Sequence, residues 1–129
     1  MTPHVVALGD IPEDVLRLFR KMRCIVELLP DIENEVISCH SLCQSLALMF
    51  PATYHEGKLG MCDHGWLRSG TNPAVLMDMY PIAGAASFII FTDSHVLPWS
   101  TLYEEREIGY DRNACQRQVL LLVEAMKKI

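Results

Sequence analysis

Lys58-Leu59-Gly60-Met61-Cys62-Asp63-His64-Gly65-Trp66-Leu67-Arg68-Ser69 runs into Gly70-Thr71-Asn72-Pro73 and then Ala74-Val75-Leu76-Met77-Asp78-Met79-Tyr80-Pro81. We read Lys58 to Ser69 as one strand and Ala74 to Pro81 as the next, because Arg68 to Pro73 is rich in turn residues. A turn centred near Thr71 makes this an antiparallel pair with His64 directly opposite Asp78. Their Cβ atoms would then be roughly 4.5–5.5 Å apart on one face. A slip of one residue would put the two on opposite faces.

Downstream, Ser87 to Thr92 carries Phe88-Ile89-Ile90-Phe91 and reads as a short buried strand. Leu97 to Tyr110 reads as irregular. Asp111 to Lys128 reads as a helix with Cys115, Val119, Leu122, Val123 and Met126 inward.

Upstream, Ser38 is a good cap for a helix whose buried stripe is Leu42, Leu46, Met49 and Phe50, and Pro51 stops it. Asp31 to Ile37 is an acidic connector with room for a helical turn. A first helix begins near Ile11-Pro12-Glu13-Asp14, capped by Asp10. It turns Val15, Leu18, Phe19, Met22, Ile25, Val26 and Leu29 to the core and ends at Pro30. Helices first, strands in the middle and a helix last give an α+β domain with a small antiparallel sheet.

The whole chain, 129 residues, fits one domain, and 50% hydrophobic with 21% charged residues is enough to bury a core. A net charge of −5 and the lack of a basic stripe argue against nucleic acid. The basic cluster Arg17 to Arg23 falls on the outer face of the first helix. No apolar run is long enough to span a membrane, and Met1-Thr2-Pro3-His4 does not begin a signal peptide. The five cysteines have no framework spacing and read as free thiols, so a cytoplasmic location is expected.

Cys39 falls in the first turn of the second helix, within Ser38-Cys39-His40-Ser41-Leu42. Unpaired N–H groups and the positive end of the helix dipole favour a thiolate there. Cys43, one turn on, is the competing nucleophile but gains less from the helix start. His40 points elsewhere on the helix and is expected at the surface or behind the site. Thiol, imidazole and carboxylate in the order Cys39, His64, Asp78 are the parts of a nucleophile, base and orienter.

This ordered set resembles the papain-like cysteine protease superfamily, and most closely its transglutaminase-like branch. The resemblance covers Ser38 to Tyr80 and rests on a helix-start Cys, a His-x-Trp-Leu strand and a Leu-x-Asp-x-Tyr-Pro strand. It implies a single papain-like or transglutaminase-like domain over residues 1–129, with a nucleophile helix packed on an antiparallel sheet that carries His and Asp. It also implies Cys39 as nucleophile, His64 as base and Asp78 as orienter, with a protein or peptide-like substrate and no cofactor. The activity expected is acyl transfer at an amide or thioester: a peptidase, an amidase or deamidase, or a transglutaminase-like enzyme. The family's oxyanion-stabilising Gln has no match before Cys39, where Glu33 and Asn34 stand, and His40 replaces an aromatic residue after it. The backbone N–H of Cys39 is one oxyanion donor that remains.

Three other readings are weaker. Cys62 and His64 with Cys39 and Cys43 do not have a usual structural zinc spacing. His55-Glu56-Gly57 is assigned to a turn, since no Pro-Cys-x-x-Cys follows it as in a deaminase. His95 and Trp99 are expected to pack in the irregular segment. The alternative to an enzyme is a catalytically inactive protein-binding module on the same fold, with Trp99, Leu102 and Tyr103 as anchors.

Overall fold

The computed structural model describes residues 4–72, 74–79, 87–92, 103–107 and 112–129, with backbone alone for 4–8, 87–89, 91 and 92. Tyr80, His95, Trp99 and Leu102 lie outside the described residues. The elements run β1 (His4–Leu8), α1 (Glu13–Leu28), α2 (Cys39–Met49), β2 (Ala52–Leu59), β3 (Cys62–Ser69), β4 (Val75–Asp78), β5 (Ser87–Thr92), β6 (Tyr103–Glu105) and α3 (Arg112–Lys127). The fold is α+β, with helices early in the chain and one at its C-terminal end. The sheet order is β1-β5-β4-β3-β2-β6. Every neighbouring pair is antiparallel except β1 with β5, which are parallel.

Several local expectations need correction. Lys58 to Ser69 is not one strand, because the chain reverses at Gly60 (φ 61°) and Met61, and β2 pairs back on β3 from Ala52↔Ser69 to Leu59↔Cys62. His55-Glu56-Gly57 therefore sits inside β2 rather than in a turn. Tyr103 to Glu105, read as irregular, forms the edge strand β6 on β2. The β3–β4 ladder places Leu67 opposite Met77 and Arg68 opposite Leu76. Its continuation sets Asp78 across from Trp66 rather than His64. The register differs from the expected one by two residues, so both side chains keep the same face.

The helices follow their apolar spacing. Val15, Phe19 and Met22 of α1 are buried, and Leu18, Ile25, Val26 and Leu29 pack partly buried against the same core. Asp10 does not cap α1: Pro12 holds the cap position with extended backbone and no side-chain cap bond. Its carbonyl accepts from Leu16 N at 3.0 Å. The connector turns at Glu33 and Asn34, with φ of 52° and 58°, closed by Glu35 N to Ile32 O at 2.9 Å. Two left-handed residues make this a type I′ turn rather than a helical one.

The core joins α1 and the α2 residues Leu42, Cys43 and Leu46 to Leu67, Val75, Met77, Met79 and Ile90 of the sheet region. Leu122 and Met126 of α3 complete it. Alternate residues of β3 and β4, including Trp66, Leu76 and Asp78, are also buried. The two central strands are therefore covered on both faces. Among the described residues, no helix is long and apolar enough to cross a membrane.

Candidate active site

α2 begins where the sequence places it. Ser38 is the N-cap, and its Oγ accepts from Ser41 N at 3.1 Å. The approach to this cap is held by α3: Gln118 Oε1 accepts from Ser38 N at 3.3 Å, and Gln118 Nε2 donates to Val36 O at 2.9 Å. One side chain thus fixes both ends of the strand-like segment that feeds the thiol helix. Cys39 then occupies the first turn, 9% exposed.

His64 is 6% exposed and Asp78 fully buried. His64 Nε2 lies 2.7 Å from Asp78 Oδ2. Diagonal partners on neighbouring strands are still within reach of long side chains, and the imidazole bridges the offset. Tyr103 Oη donates to the same Oδ2 at 2.6 Å. The Tyr103 ring also stands edge-on to Trp66, centroids 5.1 Å apart, and Trp66 stacks beside His64 at 6.4 Å. Sequence reasoning placed Tyr103 on a docking surface. Its strand is three residues long, too short for a period-2 signal, and it meets Asp78 only through its pairing with β2.

Gly57 is what lets that strand close in. It faces His64 on one side of β2 and Glu105 on the other. A Cβ at Gly57 would lie 1.9 Å from the Glu104 carbonyl oxygen.

The thiol meets two imidazoles. Burial pushes Cys39 up, but the interactions with the His40 and His64 rings outweigh it and bring the group from 9.0 down to about 6. For His64, burial disfavours the charged ring, but Asp78 and Cys39 hold it up at about 10. Between these values the pair exists as thiolate and imidazolium. With Nε2 engaged by Asp78, Nδ1 is the ring nitrogen left for the sulfur.

Of the two places expected for it, the surface and behind the site, His40 takes the second. It is 7% exposed, and its Nδ1 lies 2.8 Å from Tyr54 Oη. The reason is Gly65: with no side chain there, the start of α2 approaches β3 closely enough for the His40 ring to fold in. A glycine between His64 and Trp66 was the available signal.

Cys43 is different. It is fully buried, and its Sγ donates to the Gly65 carbonyl at 3.5 Å. Burial first, then the negative charge of Asp78 and Cys39, push it well above the ordinary thiol value. It stays protonated and poorly nucleophilic. Cys62, of the zinc reading, is exposed at the end of β3 beyond His64. Among the described residues, no three His, Cys, Asp or Glu side chains are grouped to hold a metal ion.

The arrangement can generate a nucleophilic sulfur at neutral pH, hold a proton beside it and keep that proton's carrier oriented. No protein-family model, curated protein or solved structure matches the chain.

Proposed function

We propose that this chain is a small cysteine-dependent acyl-transfer enzyme acting on an amide or thioester bond. The observation that carries the reading is His64 Nε2 at 2.7 Å from Asp78 Oδ2, both buried, with the pKa of the Cys39 thiol, in the first turn of α2, lowered by the same ring. The order of the three residues, and their resemblance to the transglutaminase-like branch of papain-like enzymes, support the reaction class.

The Cys39 thiolate adds to the carbonyl carbon, forming an S–C bond. The His64 imidazolium passes its proton to the departing amine or thiol, and an acyl-enzyme remains. Water or a second amine, deprotonated by the now neutral His64, then takes the acyl group and restores the thiolate. Asp78 keeps the ring in the tautomer and orientation that both half-reactions need. Tyr103 holds the carboxylate oxygen in place and acts through Asp78.

The test is labelling by iodoacetamide at pH 7 with mass-spectrometric site assignment, alongside exposure to a peptide thioester. Cys39 is expected to label well ahead of the exposed Cys24 and Cys62 and to carry the acyl group transiently. His64→Ala is expected to remove both. A Cys39 no faster than Cys24, with no acyl adduct, rules the reading out.

A further inference from the structure

The relay of Cys39, His64 and Asp78 leaves His40 without a task, yet the fold builds a place for it. Consecutive helix residues diverge by about 100°, so a side chain next to the nucleophile ordinarily points away from it. Here the ring is held from three elements. It leaves α2, its Nδ1 meets Tyr54 Oη of β2 at 2.8 Å, and it lies over Gly65 of β3. A Cβ on Gly65 would come within 3.1 Å of His40 Nδ1 and 3.3 Å of His40 Cα. The ring also hydrogen-bonds the Cys39 thiol.

A thiolate can only accept, so the His40 nitrogen that faces it carries a proton. Since Nδ1 is at Tyr54 Oη, that nitrogen is Nε2. The two imidazoles are therefore inequivalent. His64 is backed by a carboxylate and takes the thiol proton. His40 is backed by a phenol and presents a fixed N–H.

We propose that His40 is a second catalytic imidazole whose Nε2–H stabilises the oxyanion formed when Cys39 adds to a carbonyl. The proposal rests on the acyl-transfer reading and assigns the donor that the absent Gln would have supplied. As the S–C bond forms, the carbonyl π pair moves to oxygen, and negative charge passes from sulfur to an atom two bonds away. The ring that served the thiolate is within reach of that atom. The Cys39 backbone N–H, in a first turn that offers it no intrahelical acceptor, supplies the second donor. When the C=O re-forms, the oxyanion's pair returns and the leaving group departs with the proton from His64.

Two reagents on the full chain separate this role from simple thiolate stabilisation. Iodoacetamide alkylates sulfur without forming an oxyanion, whereas p-nitrophenyl acetate acylates it through one. For His40→Ala, Cys39 acylation is expected to fall about tenfold or more beyond any fall in alkylation, in line with loss of one oxyanion donor. His40→Gln, which keeps an N–H, is expected to recover part of that difference. Tyr54→Phe keeps both rings but loses the hydroxyl, and is expected to lower acylation selectively. His64→Ala is expected to lower both reactions in parallel. If His40→Ala, or Tyr54→Phe where His40→Ala does not fold, changes both reactions equally or neither, the proposal is overturned. If wild-type Cys39 is no faster than Cys24 with either reagent, the acyl-transfer reading falls and takes this proposal with it.

Discussion

Asp78 Oδ2 is reached from two sides, by His64 Nε2 at 2.7 Å across the β3–β4 diagonal and by Tyr103 Oη at 2.6 Å from the edge of the sheet. One fully buried carboxylate thus ties His64 of β3 to Tyr103 of the edge strand β6, two strands away across β2. Asp78→Asn keeps the shape and removes the charge. Turnover is expected to fall by on the order of 10²–10⁴, with the Cys39 labelling midpoint moving up. Asp78→Ala removes the shared acceptor of His64 and Tyr103 and is expected to cost about 3–5 kcal/mol, read by urea unfolding.

The labelling rate of Cys39 against pH is a second test. In the native protein the midpoint is expected at about 6 and, for turnover, the falling limb at about 10. Without the His64 ring the thiol loses one of its two stabilising partners, so His64→Ala should raise the midpoint toward 9.0. Stability carries the complementary signature. The raised His64 contributes below its ordinary 6.5 and loses that contribution as pH rises through about 10. The lowered Cys39 contributes above its ordinary 9.0 and loses it as pH falls through about 6. Between the two ordinary values folding only moves one proton from sulfur to ring. This pair should therefore add no slope to the unfolding free energy from about pH 6.5 to about pH 9, measured by denaturant titration.

Cys43 serves as the internal control. It shares α2 with Cys39, yet burial and two neighbouring negative charges hold it protonated. The Cys39→Ala protein is expected to show no fast-labelling thiol at pH 7, only the slower exposed Cys24 and Cys62. Fast modification of Cys43 in that protein would move the nucleophile one turn along the helix.

Gly57→Ala tests the strap made by β6. The added methyl meets the Glu104 carbonyl, a backbone atom that cannot rotate away. Local overpacking of this kind is expected to cost about 1–3 kcal/mol and to separate β6 from β2. Tyr103 would withdraw from Trp66 and Asp78 with it. Altered indole fluorescence and a slower Cys39, with the secondary-structure content nearly unchanged, is the expected combination.

What the sequence made legible was local. Ser38 capping α2, and the stripe Leu42 and Leu46, follow from one turn's hydrogen bonding and a 3.6-residue period. His64 and Asp78 meet despite an error of register because the error was even. The turn before β4 was centred one residue too early, which moves each partner by two and leaves every side chain on its own face. β2 was hidden because most of its residues are only partly buried and Gly57 interrupts its pattern. β1 was missed since its pairing with β5 is parallel and joins segments far apart in the chain. Helical geometry alone leaves His40 open between the surface and a place behind the site, because it does not register that the opposing residue on β3 lacks a side chain.

Gln118 grips the main chain at Val36 and Ser38 from the opposite end of the polypeptide. A short synthetic fragment spanning only the Ser38–Phe50 stretch would retain its serine-capped start, yet its sulfur would behave like that of free cysteine. Reactivity at position 39 belongs to the assembled tertiary structure, and any binder that pries the last helix loose would silence it without touching the sulfur.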